Sequence, residues 1–219
     1  MNKIKKCIAI ITVFILVSAC SKDTSEQPIV NVGYAAQYQI DIAKIETYLK
    51  THSVTVTNNS GSTDDQNATF ATVPNLDPSS IWGSDAANPK ESLLFKNATF
   101  AGVEHKIYYL KFRQGVGVNP TINNQIKTYY KGFLLNGNVF DQSAATGATF
   151  PLNQLILGWQ EIFPEFKEGI SSAGNQNEDF GAGVMFVPSA FAYYNQSPGN
   201  GAIPAYSPLI FSFKLYDVL

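Results

Sequence analysis

One carboxylate stands among aromatic residues in the middle of the chain. A run of alternating residues leads to Asn136-Gly137, and Phe140 and Asp141 follow closely. Asn-Gly between apolar runs predicts a tight hairpin whose two turn residues both have φ > 0. The hairpin would return Phe140 and Asp141 toward Tyr130. In that place Asp141 could belong to a binding site, or it could simply cap the local backbone.

Histidine and cysteine, which carry much covalent and metal chemistry, are scarce. The chain has two of each, and neither His52 nor His105 has other metal-ligating residues clustered around it. Cys7 would leave with an N-terminal signal, so only Cys20 would remain, and no disulfide or cysteine-based metal site can form within the mature chain. We therefore expect no metal and no cofactor. The formal net charge is −2 and the lysines are scattered, which argues against nucleic acid as a partner.

The N-terminus has the order of a bacterial lipoprotein signal. Lysines precede the apolar run Ile8–Val17, which is shorter than the roughly 20 residues of a membrane span. Small residues then precede Cys20. We expect residues 1–19 to be a signal peptide and Cys20 to carry lipid, although an ordinary signal peptide or a short anchor helix would share part of the pattern. The protein would then be anchored in the cell envelope, with the outer membrane as the expected location and the periplasmic or surface face left open.

Residues 20–35 are expected to be a flexible linker behind the lipid. Ser21-Lys22-Asp23 resembles the short polar and acidic signals that follow the lipidated cysteine in surface lipoproteins of Bacteroidetes. A plain linker would look the same.

Residues 36–104 are expected to form a small N-terminal region with an amphipathic helix, short strands and loops. Apolar and polar residues take opposite sides of the helix: Tyr38, Ile42, Ile45 and Leu49 against Asp41, Lys44, Glu46 and Lys50. A lone helix of this length is marginal in water, so it would pack onto the neighbouring strands and domain, or else bind a partner. Pro74 to Lys90 would be a loop, with Trp82 within it as a possible packing anchor.

Five motifs follow one another in the last part of the chain, residues 105–219. They are Tyr130-x-Gly132-x-Leu134-x-Asn136-Gly137-x-x-Phe140-Asp141, Leu155-Ile156-x-Gly158-Trp159, Val187-Pro188-Ser189-x-x-Ala192-Tyr193, Ile203-Pro204, and Leu209-x-Phe211-x-Phe213-x-Leu215. In this order they resemble an FKBP-type peptidyl-prolyl cis-trans isomerase. The resemblance implies an α+β fold, in which a strongly bent antiparallel sheet wraps around one short helix with a pocket between them.

The resemblance also implies which residues form the pocket. Trp159 would be its floor, on the first turn of the helix. The Ile156 N–H would bond to a substrate carbonyl, and the Tyr193 hydroxyl would bond to the carbonyl of the prolyl bond. Asp141 would be an orienting carboxylate at the edge, and Ile203 would close the rim. The other walls would be Tyr130, Phe140, Leu155 and Phe211.

The implied activity is prolyl isomerisation that assists the folding of exported or envelope proteins. An X-Pro bond isomerises unaided in roughly tens to hundreds of seconds. Its planar form is the more polar one because of amide resonance, so a dry aromatic pocket would favour the twisted form. The partners would be proline-containing polypeptides and, through the lipid, the membrane.

Two departures from the family pattern favour an alternative function. Ala148 stands where the family often has an aromatic residue, and Tyr194 stands where glycine is usual. The alternative is a catalytically weak FKBP-like binding module or chaperone in an envelope complex. A homodimer, or a docking role for the N-terminal region, also stays open.

Overall fold

The computed structural model describes residues 33–170 and 179–219. The expected signal peptide at 1–19 and Cys20 lie outside these residues. In the part that is described, no helix combines the length and the apolar composition needed to cross a bilayer. The helices and strands, in chain order, are α1 (Tyr34–Thr51), β1 (His52–Val56), β2 (Ala68–Thr72), β3 (Leu93–Phe100), β4 (Val103–Arg113), β5 (Gln125–Leu134), β6 (Val139–Gln142), β7 (Ala148–Pro151), α2 (Leu157–Ile162), β8 (Gly181–Val187) and β9 (Leu209–Val218).

Seven strands form the main sheet in the order β3-β4-β8-β9-β5-β6, and β7 pairs with the first residues of β5. All of these pairings are antiparallel. The predicted α+β architecture, an antiparallel sheet with a short helix, is confirmed. The sheet begins at Leu93, ahead of the predicted domain start at residue 105. The division of the chain into domains stays a prediction.

The sheet separates two apolar clusters, and β9 shows how it does so. Side chains alternate between the faces of a strand. Leu209, Phe211, Phe213 and Leu215 lie in one cluster together with residues of α2, as the alternation predicts. Ile210 lies in the other cluster, together with residues of α1. We call the side of the sheet that packs on α2 the inner face and the opposite side the outer face.

The hairpin between β5 and β6 lies where the sequence predicts it, but its turn is of another type. The Gly137 N–H donates to the Leu134 carbonyl (2.9 Å), and the Leu134 N–H donates to the Asn138 carbonyl (2.9 Å). Gly137 has φ +87°, whereas Asn136 is not in the positive-φ region, so the prediction of two positive φ values was wrong. A three-residue loop that ends in a left-handed glycine explains the difference.

α1 packs on the protein's own sheet rather than standing free. Ile45, Tyr48 and Leu49 are buried in the cluster on the outer face. Asp41, which the helical pattern placed on the solvent side, is completely buried, so that prediction was wrong. Residues four apart share a face of a helix, and Asp41 therefore lies beside Ile45.

α2 is short, and a one-turn 3-10 helix, Phe163–Glu165, continues it. Gly158 lets α2 lie close to β8, because a Cβ at this position would come within 2.5 Å of the Val187 side chain. This close packing places Trp159 against the inner face of the sheet, where it is 4% exposed.

Candidate active site

A small cavity of about 90 Å³ lies on the inner face of the sheet. It is lined by residues of β5, β6, β7 and β9, the start of α2 with the two residues before it, and the turn that follows β8. Aromatic side chains form most of its wall, and Asp141 is its only acidic lining residue. The lining residues are Tyr130, Phe140, Asp141, Phe150, Leu155, Ile156, Trp159, Tyr193 and Phe211.

Trp159 lies under the cavity and contacts aromatic rings on several sides. Its ring centroid is 5.2 Å from that of Tyr130 and 5.2 Å from that of Phe211, both in edge-on arrangements. Phe163 packs behind it at 5.0 Å. Edge-on pairs are favourable for aromatic rings, so the indole is held by neighbours that are themselves part of the core.

The pairing of β5 with β6 places Tyr130 and Asp141 together. The Tyr130 hydroxyl donates to Asp141 Oδ2 at 2.6 Å. Gly132, which pairs with Asp141, leaves the space that the Phe140 ring fills, because a Cβ there would come within 2.5 Å of that ring. Burial, and next the hydrogen bond to Asp141, raise the pKa of Tyr130.

Tyr193 comes from a separate part of the chain, in the turn after β8. A 3-10 helix, Ser189–Phe191, precedes it, and the Ala192 and Tyr194 N–H groups donate to the Ser189 carbonyl at 3.0 and 2.8 Å. Burial, and secondly the charge of Asp141, raise the pKa of Tyr193. Its hydroxyl therefore stays protonated at neutral pH and can act as a hydrogen-bond donor.

Ile156 precedes the first residue of α2, and its backbone is extended, with φ −59° and ψ 149°. The first N–H groups of a helix have no carbonyl within the helix to bond to. The Ile156 amide is thus suited to bind an external carbonyl, which is the role that the resemblance predicts for it. The carbonyl of Leu155, one residue earlier, accepts a hydrogen bond from Gln160 Nε2 at 2.6 Å.

The structure brings together all the predicted site residues of the described part except Ile203. Ile203 is 6% exposed and lies in the core, and its carbonyl accepts a hydrogen bond from Ser197 Oγ at 2.8 Å. It does not line the cavity. Cys20, the predicted lipidation site, lies outside the described residues.

Phe150 lines the cavity although it was not among the predicted site residues. It lies on β7, with its ring 6.1 Å from Tyr130 and 6.5 Å from Trp159. Ala148, two residues earlier, shares its face of the strand. The missing aromatic residue at Ala148 was therefore the signal that should have directed attention to Phe150.

Comparison with known proteins gives one consistent family. Residues 117–216 match the family model of FKBP-type peptidyl-prolyl cis-trans isomerases. The FKBP-type isomerase FkpA of Aeromonas hydrophila is 36% identical over 134 residues, which are 58% of this chain and 45% of the relative. The isomerase Mip of Coxiella burnetii is 33% identical over 137 residues, which are 60% of this chain and 54% of the relative.

A solved structure shares the fold. It is that of a peptidyl-prolyl cis-trans isomerase from Pseudomonas syringae pv. tomato, with a TM-score of 0.52 and 18% identity over 86% of this chain and 98% of the other. The chain spans about half the length of the curated relatives that it matches.

Proposed function

We propose that this protein is an active prolyl isomerase, on the premise that residues 117–216 belong to the FKBP-type peptidyl-prolyl cis-trans isomerase family. The observation that carries the proposal is the aromatic cavity itself. Its lining combines rings from β5, β6 and α2 with Tyr193 from the turn after β8. Residues that are far apart in the chain thus meet at one small apolar site.

The proposed mechanism needs only binding and the exclusion of water. A proline ring would lie against Trp159 while the carbonyl on its N-terminal side rotates. The planar amide is stabilised by water more than the twisted one, because twisting removes the resonance that polarises it. A cavity that withholds water and binds the twisted form more tightly would therefore accelerate the rotation.

Two hydrogen-bond donors would fix the substrate. The Ile156 N–H and the Tyr193 hydroxyl would each bond to a carbonyl that flanks the proline. The pKa of Tyr193 is raised by burial, which keeps this donor protonated. The Tyr130 hydroxyl already bonds to Asp141, so this pair would define the edge of the site.

A proline-containing peptide provides the direct test. Purified protein should shorten the cis-to-trans relaxation of the peptide in proportion to protein concentration. Phe140→Ala should weaken this acceleration, because Phe140 packs edge-on against Phe211 at 5.6 Å in the cavity wall. Phe95→Ala is the matched control, because Phe95 is 52% exposed and outside the cavity. A relaxation time that the protein leaves unchanged would refute the proposal.

The alternative is a binding module that holds polypeptides without accelerating their isomerisation. Ala148 and Tyr194 favour it, because they depart from the family pattern on the strand that carries Phe150 and next to Tyr193. This alternative predicts that the protein binds an unfolded polypeptide in the same cavity, with no effect on the relaxation time.

We further propose that the protein acts at the cell envelope on exported proteins, anchored by lipid on Cys20, with the outer membrane as its location. The order of lysines, apolar run and small residues before Cys20 supports this. Labelled palmitate should be incorporated into the wild-type protein and not into Cys20→Ser. A variant that keeps the label would refute lipidation at Cys20.

A further inference from the structure

Asp41 is a buried carboxylate that joins α1 to the turn after β8. It is fully buried, and its Oδ2 accepts hydrogen bonds from the N–H and from the Oγ of Ser189, at 2.7 and 2.6 Å. Its Oδ1 accepts a hydrogen bond from Gln37 Nε2 at 2.6 Å. A buried charge is costly unless hydrogen bonds satisfy it, and here both oxygens are satisfied.

Ser189 is the residue on which the turn is built. Its carbonyl accepts the N–H groups of Ala192 and Tyr194, and these two residues flank Tyr193. Asp41 holds the N–H and the hydroxyl of this same serine. Both ends of Ser189 are therefore fixed, one by the turn itself and the other by a helix more than a hundred residues away in the chain.

The first turn of α1 makes a second contact with the same segment. The Tyr34 ring stacks on the Tyr194 ring, with centroids 4.4 Å apart and planes 28° apart. Tyr194 has φ +51°, a left-handed conformation that is unfavourable for a residue with a side chain. The contact with Tyr34 helps to hold the residue next to Tyr193 in this conformation.

We propose that Asp41 is a positioning residue of the active site, which acts through Ser189 to hold the Tyr193 hydroxyl where it meets the substrate. The proposal rests on the proposed isomerase function. It makes α1 part of the catalytic unit, although α1 lies outside the region that matches the family model.

The test compares Asp41→Ala with a matched carboxylate on the same helix. Glu46 also holds α1 to the sheet, because it accepts a hydrogen bond from the Tyr108 hydroxyl at 3.0 Å. Each change is made in the full-length protein, in the wild-type and in the Tyr193→Phe background, and kcat/KM is measured well below the melting temperature. A general loss of helix packing would lower kcat/KM by the same factor in both backgrounds.

We expect Asp41→Ala to lower kcat/KM by about two- to tenfold, the range of one hydrogen bond, and Glu46→Ala to leave it unchanged. In the Tyr193→Phe background, Asp41→Ala should cause little further loss, because the group that it positions is already absent. Asp41→Asn should recover most of the activity, since a rotated Gln37 amide can face the new amide group while the remaining oxygen still accepts from Ser189. Equal losses from Asp41→Ala in both backgrounds, or no loss at all, would overturn the proposal.

Amide hydrogen exchange separates this proposal from the proposed function. If the wild type does not catalyse isomerisation, the proposed function fails, but the Ala192 and Tyr194 amides still report on the turn. They should exchange faster in Asp41→Ala and not in Glu46→Ala, and unchanged protection would refute the positioning role. If Asp41→Ala does not fold, Ser189→Ala replaces it: it removes only the hydroxyl bond, so a smaller effect of the same kind is expected, and no effect on exchange would count against the proposal.

Discussion

The chain has two tryptophans, and each is buried against a different face of the main sheet. Trp82 packs on the outer face and Trp159 on the inner face, and both are 4% exposed. Their indole N–H groups differ in hydrogen bonding. Trp82 Nε1 donates to the Asp85 carbonyl at 2.9 Å, whereas Trp159 Nε1 is buried with no hydrogen-bond partner in the described part of the chain.

The neighbours of the two side chains explain what this difference means. Trp82 is covered by Tyr108 at 6.0 Å and by the Lys50 ammonium at 4.3 Å, so it is enclosed by its own chain. Trp159 has aromatic neighbours but also borders a cavity. A buried indole N–H usually has a hydrogen-bond partner, so the N–H of Trp159, which has none among the described residues, is unusual. The two rings are equally buried, so burial alone does not distinguish a side chain that only packs from one that lines a candidate site. The cavity beside Trp159 makes that distinction.

The largest expected effect comes from removing each tryptophan in turn. Trp159→Ala and Trp82→Ala should each lower the free energy of unfolding by about 3–5 kcal/mol, because both delete a large buried side chain. Only Trp159→Ala should also abolish isomerisation, since only Trp159 borders the cavity. Chemical denaturation measures the first quantity, and the proline-peptide assay, run where each variant is folded, measures the second.

Either of two results would refute the contrast between the two faces. One is a folded Trp82→Ala variant that no longer catalyses isomerisation, and the other is a Trp159→Ala variant that still does. Circular dichroism at the assay temperature serves as the control for folding in both variants.

A change of pH should alter the stability of the protein through the outer face, by less than the loss of a tryptophan does. Lys214 lies on the outer face, 1% exposed, with its Nζ 2.8 Å from the Thr63 carbonyl. Burial lowers its pKa from 10.5 to about 8. Between these values the unfolded chain binds more protons than the folded one, so stability should rise as the pH increases from about 8 to 10, by roughly 2 kcal/mol. Above about pH 10, tyrosines that burial keeps protonated, such as Tyr129, reverse the trend.

The groups that line the cavity should not change their protonation in this pH range. The pKa values of Tyr130 and Tyr193 are both raised, so their hydroxyls keep their protons and the isomerisation rate should stay constant between about pH 7 and 9.5. Lys214→Met should remove the rise in stability without changing the rate. A rate that follows the stability curve would show that the two faces are coupled.

The sequence predicts the inner face better than the outer one, for physical reasons. Alternation identifies the inner face of β9, because Leu209, Phe211, Phe213 and Leu215 fall on one side of the strand and all lie in the inner-face cluster. The walls of the cavity could be predicted because they belong to the motifs that resemble the family, each of which is short, and the resemblance implies that they meet. Phe150 was not predicted as a lining residue, because it contributes to the wall from a position two residues after the one that is often aromatic in the family. The burial of Asp41 was not predicted, because its partner, Ser189, lies far along the chain and helical periodicity alone places an acidic residue on the solvent side.

The smallest changes in stability and rate are expected at two tyrosine–carboxylate pairs, one on each face. Tyr130 donates to Asp141 at 2.6 Å in the cavity wall, and Tyr108 donates to Glu46 at 3.0 Å beneath α1. Tyr108→Phe should lower the free energy of unfolding by about 1 kcal/mol and leave the isomerisation rate unchanged, because this pair only holds α1 on the sheet. Tyr130→Phe should do the reverse, with a rate lowered by a few-fold and little change in stability, because its hydroxyl bond lies at the solvent-exposed edge of the site. Each variant removes a single oxygen atom, so the two results can be compared directly. A lower isomerisation rate in Tyr108→Phe would contradict this contrast. It would mean that the contact of Tyr108 with Glu46 also controls the cavity, in addition to the contact of Asp41 with Ser189.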